Sequence, residues 1–209
     1  MAKLYYITDR QSCPIPVLDN IKRVIEAGVD FVQIREKDLC ARELLSLAKA
    51  ASQLKRGHGT RILINDRLDI ALAADLDGVH LAQSSISTDW IYGKLSKPDF
   101  LIGVSTHSWQ EAAAVQHAAS FITFGPVFFT PSKAEFGSPL GLGQLKQVCQ
   151  RAEIPVFALG GINLNNYAEC LYNGASGVGA IRLFQDPDIA IEKLVREVRE
   201  WPVRPGQGP

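Results

Sequence analysis

The sequence predicts an α/β protein built as a single (β/α)8 TIM barrel. Three observations carry that prediction. Short apolar runs alternate with longer amphipathic segments along the 209-residue chain, eight of each. The runs are continuously apolar, as in parallel strands covered on both faces. Polar and charged residues gather at the C-terminal end of nearly every run, where a barrel of this kind keeps its site. A chain of this length supports one sizeable core. A doubly wound open sheet satisfies the same periodicity, because periodicity does not report closure.

The first strand, Leu4–Thr8, ends in Thr8-Asp9-Arg10, and a helix over Val17–Ala27 stops at Gly28, a residue suited to the turn beyond a helix. Phe31–Ile34 leads through Arg35-Glu36-Lys37-Asp38 to a helix over Ala41–Lys55. Ile62–Ile64 leads through Asn65-Asp66-Arg67 to Leu68–Ala74, and Gly78–Leu81 through Gln83-Ser84-Ser85 to Thr88–Leu95. Leu101–Val104 ends in Ser105-Thr106-His107 before a helix over Trp109–Ala119, with Ser108 and Glu111 at the spacing of a capping box. Phe121–Phe124 opens a long Pro/Gly-rich loop before Leu142–Arg151. Val156–Leu159 is followed by Gly160-Gly161, with Asn163 as the cap of a helix over Leu164–Tyr172 that stops at Gly174. Gly177–Ala180 is the eighth strand, and Asp186-Pro187 starts a last helix over Pro187–Trp201. The barrel domain is expected to span residues 1–202, with residues 203–209 a frayed tail.

Lys plus Arg equals Asp plus Glu, 22 of each. That balance argues against a nucleic-acid partner, though not against one local anion site. No apolar run is long enough to span a membrane. The chain enters its first strand without a leader-like segment, so a cytoplasmic location is expected. Cys13, Cys40, Cys149 and Cys170 form no C-x-x-C pair and read as isolated thiols. His58, His80, His107 and His117 show no metal-ligand spacing. His80, inside an apolar run, reads as a satisfied core histidine. His107 reads either as an acid–base group or as a hydrogen-bonding residue at a helix start.

The chemistry-bearing residues lie at the strand ends. Gln33, Arg35 and Lys37 alternate and would share the inward face of an extended chain, where the two cations suit a pyrophosphate. The competing reading is ion pairing with Glu36 and Asp38. Asn65-Asp66 offers an amide and a carboxylate, either for Mg2+ or as a helix cap. The loop after the sixth strand carries Thr130, Ser132 and Lys133, two hydroxyls and a cation suited to phosphate. Gly160-Gly161 lets the backbone approach an anion at a helix start.

These stretches together resemble the thiamine-phosphate synthase family and its relative, the thiazole tautomerase. The resemblance rests on Tyr6-Ile7-Thr8-Asp9, Gln33 to Lys37, Ile64 to Arg67, Asp77 to Leu81 with Gln83, Gly103 to His107, Phe124 to Val127 with Thr130 to Lys133, and Leu159 to Ile162. It covers nearly the whole chain. The resemblance implies the joining of a hydroxymethylpyrimidine diphosphate to a thiazole phosphate, with release of pyrophosphate and help from Mg2+. It implies that Arg35, Lys37 and Lys133 stabilise the leaving group and that Asp66 holds the metal. Gln33, Asn65 and Ser105 would orient the pyrimidine substrate, Thr130 and Ser132 would hold the substrates together, and Gly160 and Gly161 would bind the thiazole phosphate. Small phosphorylated thiamine precursors are then the partners, and a homo-oligomer is compatible with the sequence.

Two positions depart from the synthase pattern. Ser85 stands where a second acidic metal ligand is usual. Arg182-Leu183-Phe184 replaces a Ser-Ala-Ile-like stretch, with Arg182 either a phosphate ligand or an external ion pair. Against the tautomerase, Pro126 stands where that branch places a histidine, and Lys37 and Asp66 are synthase features. A non-catalytic barrel that binds a phosphorylated ligand is the remaining alternative.

Overall fold

The computed structural model describes residues 1–95, 97–130 and 138–201. Eight parallel strands close in sequence order: β1 (Lys3–Ile7), β2 (Phe31–Ile34), β3 (Arg61–Asn65), β4 (Gly78–Leu81), β5 (Leu101–Thr106), β6 (Phe121–Phe124), β7 (Val156–Leu159) and β8 (Gly177–Ala180), which pairs back onto β1. The closed barrel is the predicted one, and the open sheet is excluded. Among the described residues the helices are α1 (Val17–Glu26), α2 (Ala41–Leu54), α3 (Leu68–Ala73), α4 (Thr88–Lys94), α5 (Trp109–Val115), α6 (Gly141–Arg151), α7 (Tyr167–Tyr172), α8 (Arg182–Gln185) and α9 (Ile191–Arg199).

β1, β3 and β5 differ from their expected limits by one or two residues, and the larger differences lie at helix starts and ends. Helix α7 begins at Tyr167, not Leu164. Asn163 Oδ1 accepts the Asn165 N–H at 2.8 Å and Asn166 Oδ1 accepts the Asn163 N–H at 2.9 Å, a pair of side-chain turns that replaces the first helical turn. Asp186 likewise accepts the Asp188 N–H at 2.9 Å, so the last helix starts at Ile191 and not at Pro187. The short α8, which buries Leu183, Phe184 and Gln185, was not predicted, because four residues carry no periodic signal. Helix α5 ends at Val115, four residues early, and His117 beyond it pairs with Asp89 of α4 at 2.5 Å. The expected Ser108 cap is present, its Oγ accepting the Glu111 N–H at 3.2 Å.

Two apolar layers follow from strand alternation. Outward residues such as Leu4, Tyr6, Val32, Ile64, Val79 and Ile122 pack beneath the helices. Inward residues Tyr5, Phe31, Leu63, Phe121 and Phe157 form a separate cluster that fills the barrel. Their rings meet mostly edge to face, with centroids 5.2 Å apart for Phe121 and Phe157. Glycines make the room. A Cβ on Gly177 would lie 2.3 Å from the Lys3 carbonyl oxygen and 2.6 Å from the Phe157 ring. At the N-terminal face Asp77 takes Lys55 at 2.6 Å, Arg61 at 3.1 Å and the Ile62 N–H at 2.7 Å, which closes that end.

Gly177→Ala is therefore expected to overpack the barrel and cost about 1–3 kcal/mol. Gly59→Ala, with nothing within 4 Å of the added carbon, is expected to stay within about 0.5 kcal/mol of the parent. Urea unfolding of both variants checks the difference, and equal midpoints would contradict this account of the filled interior.

Candidate active site

The tops of β2, β3 and β4 form one hydrogen-bonded row. Gln33 is buried and its Nε2 donates to Asn65 Oδ1 at 3.3 Å. Asn65 Nδ2 donates to Asp66 Oδ2 at 2.8 Å. The Ser85 hydroxyl donates to Asp66 Oδ1, and the Ala82 N–H points to that same oxygen at 3.3 Å and to Ser85 Oγ at 2.7 Å. Asp66 itself has φ 60°, a left-handed conformation that a non-glycine residue adopts at some cost and that often marks a functional site. Helix α3 takes no cap from this pair: its N-cap is Arg67, with no side-chain capping bond. The carboxylate and the amide are thus available for other work.

The donor set fits a magnesium ion of one particular kind. No group of three or more His, Cys, Asp or Glu residues suited to a metal occurs among the described residues. Asp66 offers one oriented carboxylate and Ser85 a neutral hydroxyl. Magnesium commonly takes one or two protein carboxylates and fills its remaining positions with water and substrate phosphate oxygens. The residues fit a metal that arrives with, or is completed by, a phosphorylated ligand.

Beside this row stand two cations. Arg35 is half-buried and Lys37 exposed, and neither enters an ion pair among the described residues. The two acids that competed for them are engaged elsewhere. Glu36 accepts from Thr8 Oγ1 at 2.5 Å and from the Arg10 N–H at 3.0 Å, and Asp38 pairs with Arg10. Burial raises the Glu36 carboxyl above its ordinary pKa, opposed by the Thr8 and Arg10 bonds. The strand ends at Ile34, so Lys37 lies on the turn beyond it and not on the extended inward face that was expected.

A second polar layer lies between the row and the aromatic plug. His80 is 2% exposed. Its Nδ1 meets the Tyr5 hydroxyl at 3.1 Å and its Nε2 meets Ser105 Oγ at 2.9 Å. Thr123 Oγ1 donates to Ser105 Oγ at 3.4 Å. Burial pushes the His80 pKa down to about 4; nearby Asp66 opposes the shift and Arg35 adds to it. The core reading of His80 was correct yet incomplete, since the ring touches a site residue. Tyr5 and Thr123 were not singled out from the sequence. Their inward parity, shared with His80 and Ser105, was the available signal.

The β6–β8 side is built from turns. Gly160 and Gly161 have φ 96° and 68° and press against the loop after β6: a Cβ on Gly160 would lie 2.5 Å from Pro126, and one on Gly161 2.6 Å from the Phe129 carbonyl oxygen. The helix start expected directly behind them is absent, because α7 opens at Tyr167. The turn is instead fastened by Asn166 Nδ2, which donates to the Gly161 carbonyl at 2.9 Å. Arg182 is exposed at the opening of α8 and enters no ion pair among the described residues, so the external-ion-pair reading is not met. Thr130 is half-buried at the end of the described part of the loop. Ser132 and Lys133 lie outside the described residues, as do residues 203–209. His107 serves as a hydrogen-bonding residue: its Nδ1 bonds the Gly125 carbonyl, and its own N–H goes to Glu111 at 2.7 Å.

Comparison with known proteins points to one family and the same fold. The profile of the thiamine monophosphate synthase family matches residues 4–184. A Geobacter sulfurreducens protein is 49% identical over 188 residues, 88% of either chain. The thiamine-phosphate synthase of Chlorobium phaeobacteroides is 41% identical over 195 residues, 91% of this chain and 93% of its own. Among solved structures, thiamine phosphate pyrophosphorylase from Pyrococcus furiosus superposes with a TM-score of 0.84 at 32% identity, covering 95% of this chain and 96% of its own.

The buried histidine gives a pH signature. In the unfolded chain a histidine titrates near 6.5, and in the fold His80 titrates near 4. Above pH 6.5 both states hold it neutral and its contribution is complete. As pH falls from 6.5 to 4 only the unfolded state gains the proton, so stability falls by about 1.4 kcal/mol per unit. Between pH 7 and pH 5 the parent is expected to lose about 2 kcal/mol that His80→Gln does not lose. Urea unfolding of both at the two pH values decides it; parallel losses would contradict the buried neutral state.

Proposed function

The chain belongs to the thiamine monophosphate synthase family, and we propose that it joins hydroxymethylpyrimidine diphosphate to thiazole phosphate and releases pyrophosphate. The observation that carries this reading is the mouth itself. Two cations without ion-pair partners among the described residues stand beside one oriented carboxylate and a row of amides. An anionic leaving group that needs charge, and a heterocycle that needs orientation, match that inventory.

In the reaction the bond from the pyrimidine methylene to the diphosphate oxygen breaks, and its electron pair leaves with pyrophosphate. The methylene, cation-like at that moment, is joined to the thiazole. Arg35 and Lys37 stabilise the charge that gathers on the departing oxygens, and Lys133 is assigned the same task from the sequence. Gln33, Asn65 and Ser105 orient the pyrimidine substrate. The Gly160-Gly161 turn and Arg182 take the thiazole phosphate, in the loops after β7 and β8 where such barrels often bind phosphate. Thr130 and Ser132 hold the two substrates together. Asp66, with Ser85 beside it, would hold Mg2+, which when bound supplies positive charge to the diphosphate oxygens. The tautomerase alternative lacks support at Pro126, which follows Gly125 in a cis peptide and offers no ionisable group.

Pyrophosphate release from the two substrates, titrated with magnesium and run beside a thiazole-tautomer assay, tests the proposal. Release with no tautomer turnover is expected; no release at any magnesium concentration would overturn it. Ser85→Asp sharpens the metal assignment. A carboxylate at residue 85 cannot donate to Asp66 and repels it, so this variant is expected to lose stability without magnesium and to regain it with magnesium. It should also need less magnesium for turnover than the parent. A melting temperature indifferent to magnesium would remove Asp66 and Ser85 from the metal site.

Lys133→Ala separates transition-state from ground-state binding. Loss of one charged donor that acts on the departing oxygens is expected to lower kcat by about 100-fold or more, with a smaller change in KM. A change confined to KM would make Lys133 a substrate-binding residue only.

A further inference from the structure

We infer that Tyr5 and His80 are positioning residues that act through Ser105, making its hydroxyl a fixed hydrogen-bond donor toward the ligand. The ligand atom that faces Ser105 is then an acceptor, a pyrimidine ring nitrogen or a diphosphate oxygen, and not an amino group. The inference rests on the proposed function for the identity of that ligand, but its structural part stands on a count of protons.

Tyr5 is 0% exposed, and among the described residues its hydroxyl has one polar partner, His80 Nδ1 at 3.1 Å. Burial raises the phenol well above its ordinary pKa, so it keeps its proton. A buried donor without an acceptor is costly, whereas an unused lone pair costs less. Tyr5 therefore donates to Nδ1. Buried between two neutral hydroxyls, with no carboxylate against either ring nitrogen among the described residues, the imidazole is neutral and carries one proton, which must sit on Nε2. Nε2–H donates to Ser105 Oγ at 2.9 Å.

Thr123 is 1% exposed, and the acceptor for its hydroxyl proton is Ser105 Oγ at 3.4 Å. Ser105 then receives two hydrogen bonds, one for each lone pair, and retains one proton to give. Its neighbours within the barrel take none. Ser105 is half-buried at the top of β5, level with Thr123, so the proton is directed to the mouth. Gly103 protects the arrangement: a Cβ there would lie 2.6 Å from His80 Nδ1, at the point where Tyr5 donates.

Two measurements test the relay. The first needs no substrate. Long-range proton–nitrogen-15 correlation spectra of the whole chain near pH 7.5, with His80 identified by its absence in His80→Gln, are expected to show the neutral Nε2–H tautomer. The Nδ1–H tautomer would overturn the inference. The second is a double-mutant cycle on kcat/KM for the pyrimidine diphosphate. Ser105→Ala and His80→Met are each expected to lower it about tenfold or more, and the double variant no further than the worse single. His80→Gln, whose amide both accepts from Tyr5 and donates to Ser105, is expected to remain within about threefold of the parent. Additive losses, or equal losses in His80→Met and His80→Gln, would reduce His80 to a packing residue. If the parent releases no pyrophosphate, the proposed function fails, while the tautomer still decides the relay.

Discussion

Closing eight parallel strands creates an interior that only side chains can fill, and everything at the mouth depends on how it is filled. Here the filling is aromatic. Tyr5 meets Phe31, Phe121 and Phe157 at centroid distances of 5.7 to 5.9 Å, close to edge-on in each case. Rings of this size fit because Gly103 and Gly177 supply no side chains where the rings lie. The cluster also excludes water from below. That dry floor lets one histidine remain neutral and lets a few hydroxyl protons be assigned by elimination, since no solvent can absorb an unmatched donor.

Above the floor the polarity rises in steps. The first layer, His80, Ser105 and Thr123, is neutral and internally hydrogen-bonded, with the Ser105 proton left for the mouth. The second, Gln33, Asn65 and Asp66, holds one charge and transmits orientation from strand to strand. The outermost holds Arg35 and Lys37, with Glu36 and Asp38 turned to Arg10 and Thr8. The diversion of these two acids is the decisive detail. Had they paired with Arg35 and Lys37, the mouth would be a compensated surface with little call for an anion. Their engagement elsewhere leaves positive charge at the rim beside a single carboxylate, as a phosphorylated ligand with a magnesium ion would need.

The fold was legible because its signal repeats. Eight apolar runs with polar ends need no single boundary to be right, and five of the strands coincide with their expected limits: β2, β4, β6, β7 and β8. The helix starts were less legible, since Asn163 and Asp186 are equally good as caps and as side-chain turns, and the choice depends on where the chain must next go. At the site, sequence order delivered the residues one strand at a time: Gln33, Asn65, Asp66 and Ser105. It did not deliver their partners across strands. Whether Asp66 caps α3 or bonds Ser85 is decided by the β3–β4 register and by a left-handed backbone. No local pattern reports either.

Ser85 shows how a departure from the family pattern can be coherent. A second carboxylate beside Asp66 would require a cation to keep the two charges together, so the empty site would be repulsive. Ser85 removes that repulsion and replaces it with a donated hydrogen bond, reinforced by the Ala82 N–H on both oxygens. Asp66 is therefore held in place before any metal arrives. The exchange favours a site that is ordered when empty over one that binds the metal strongly by itself. On the proposed function, the free energy of metal binding would come chiefly from the substrate's own phosphate oxygens. Metal and diphosphate would then be linked ligands: the metal would bind tightly only with the diphosphate present, because Asp66 alone offers it a carboxylate, and by reciprocity it would strengthen the diphosphate's hold beyond what Arg35 and Lys37 supply.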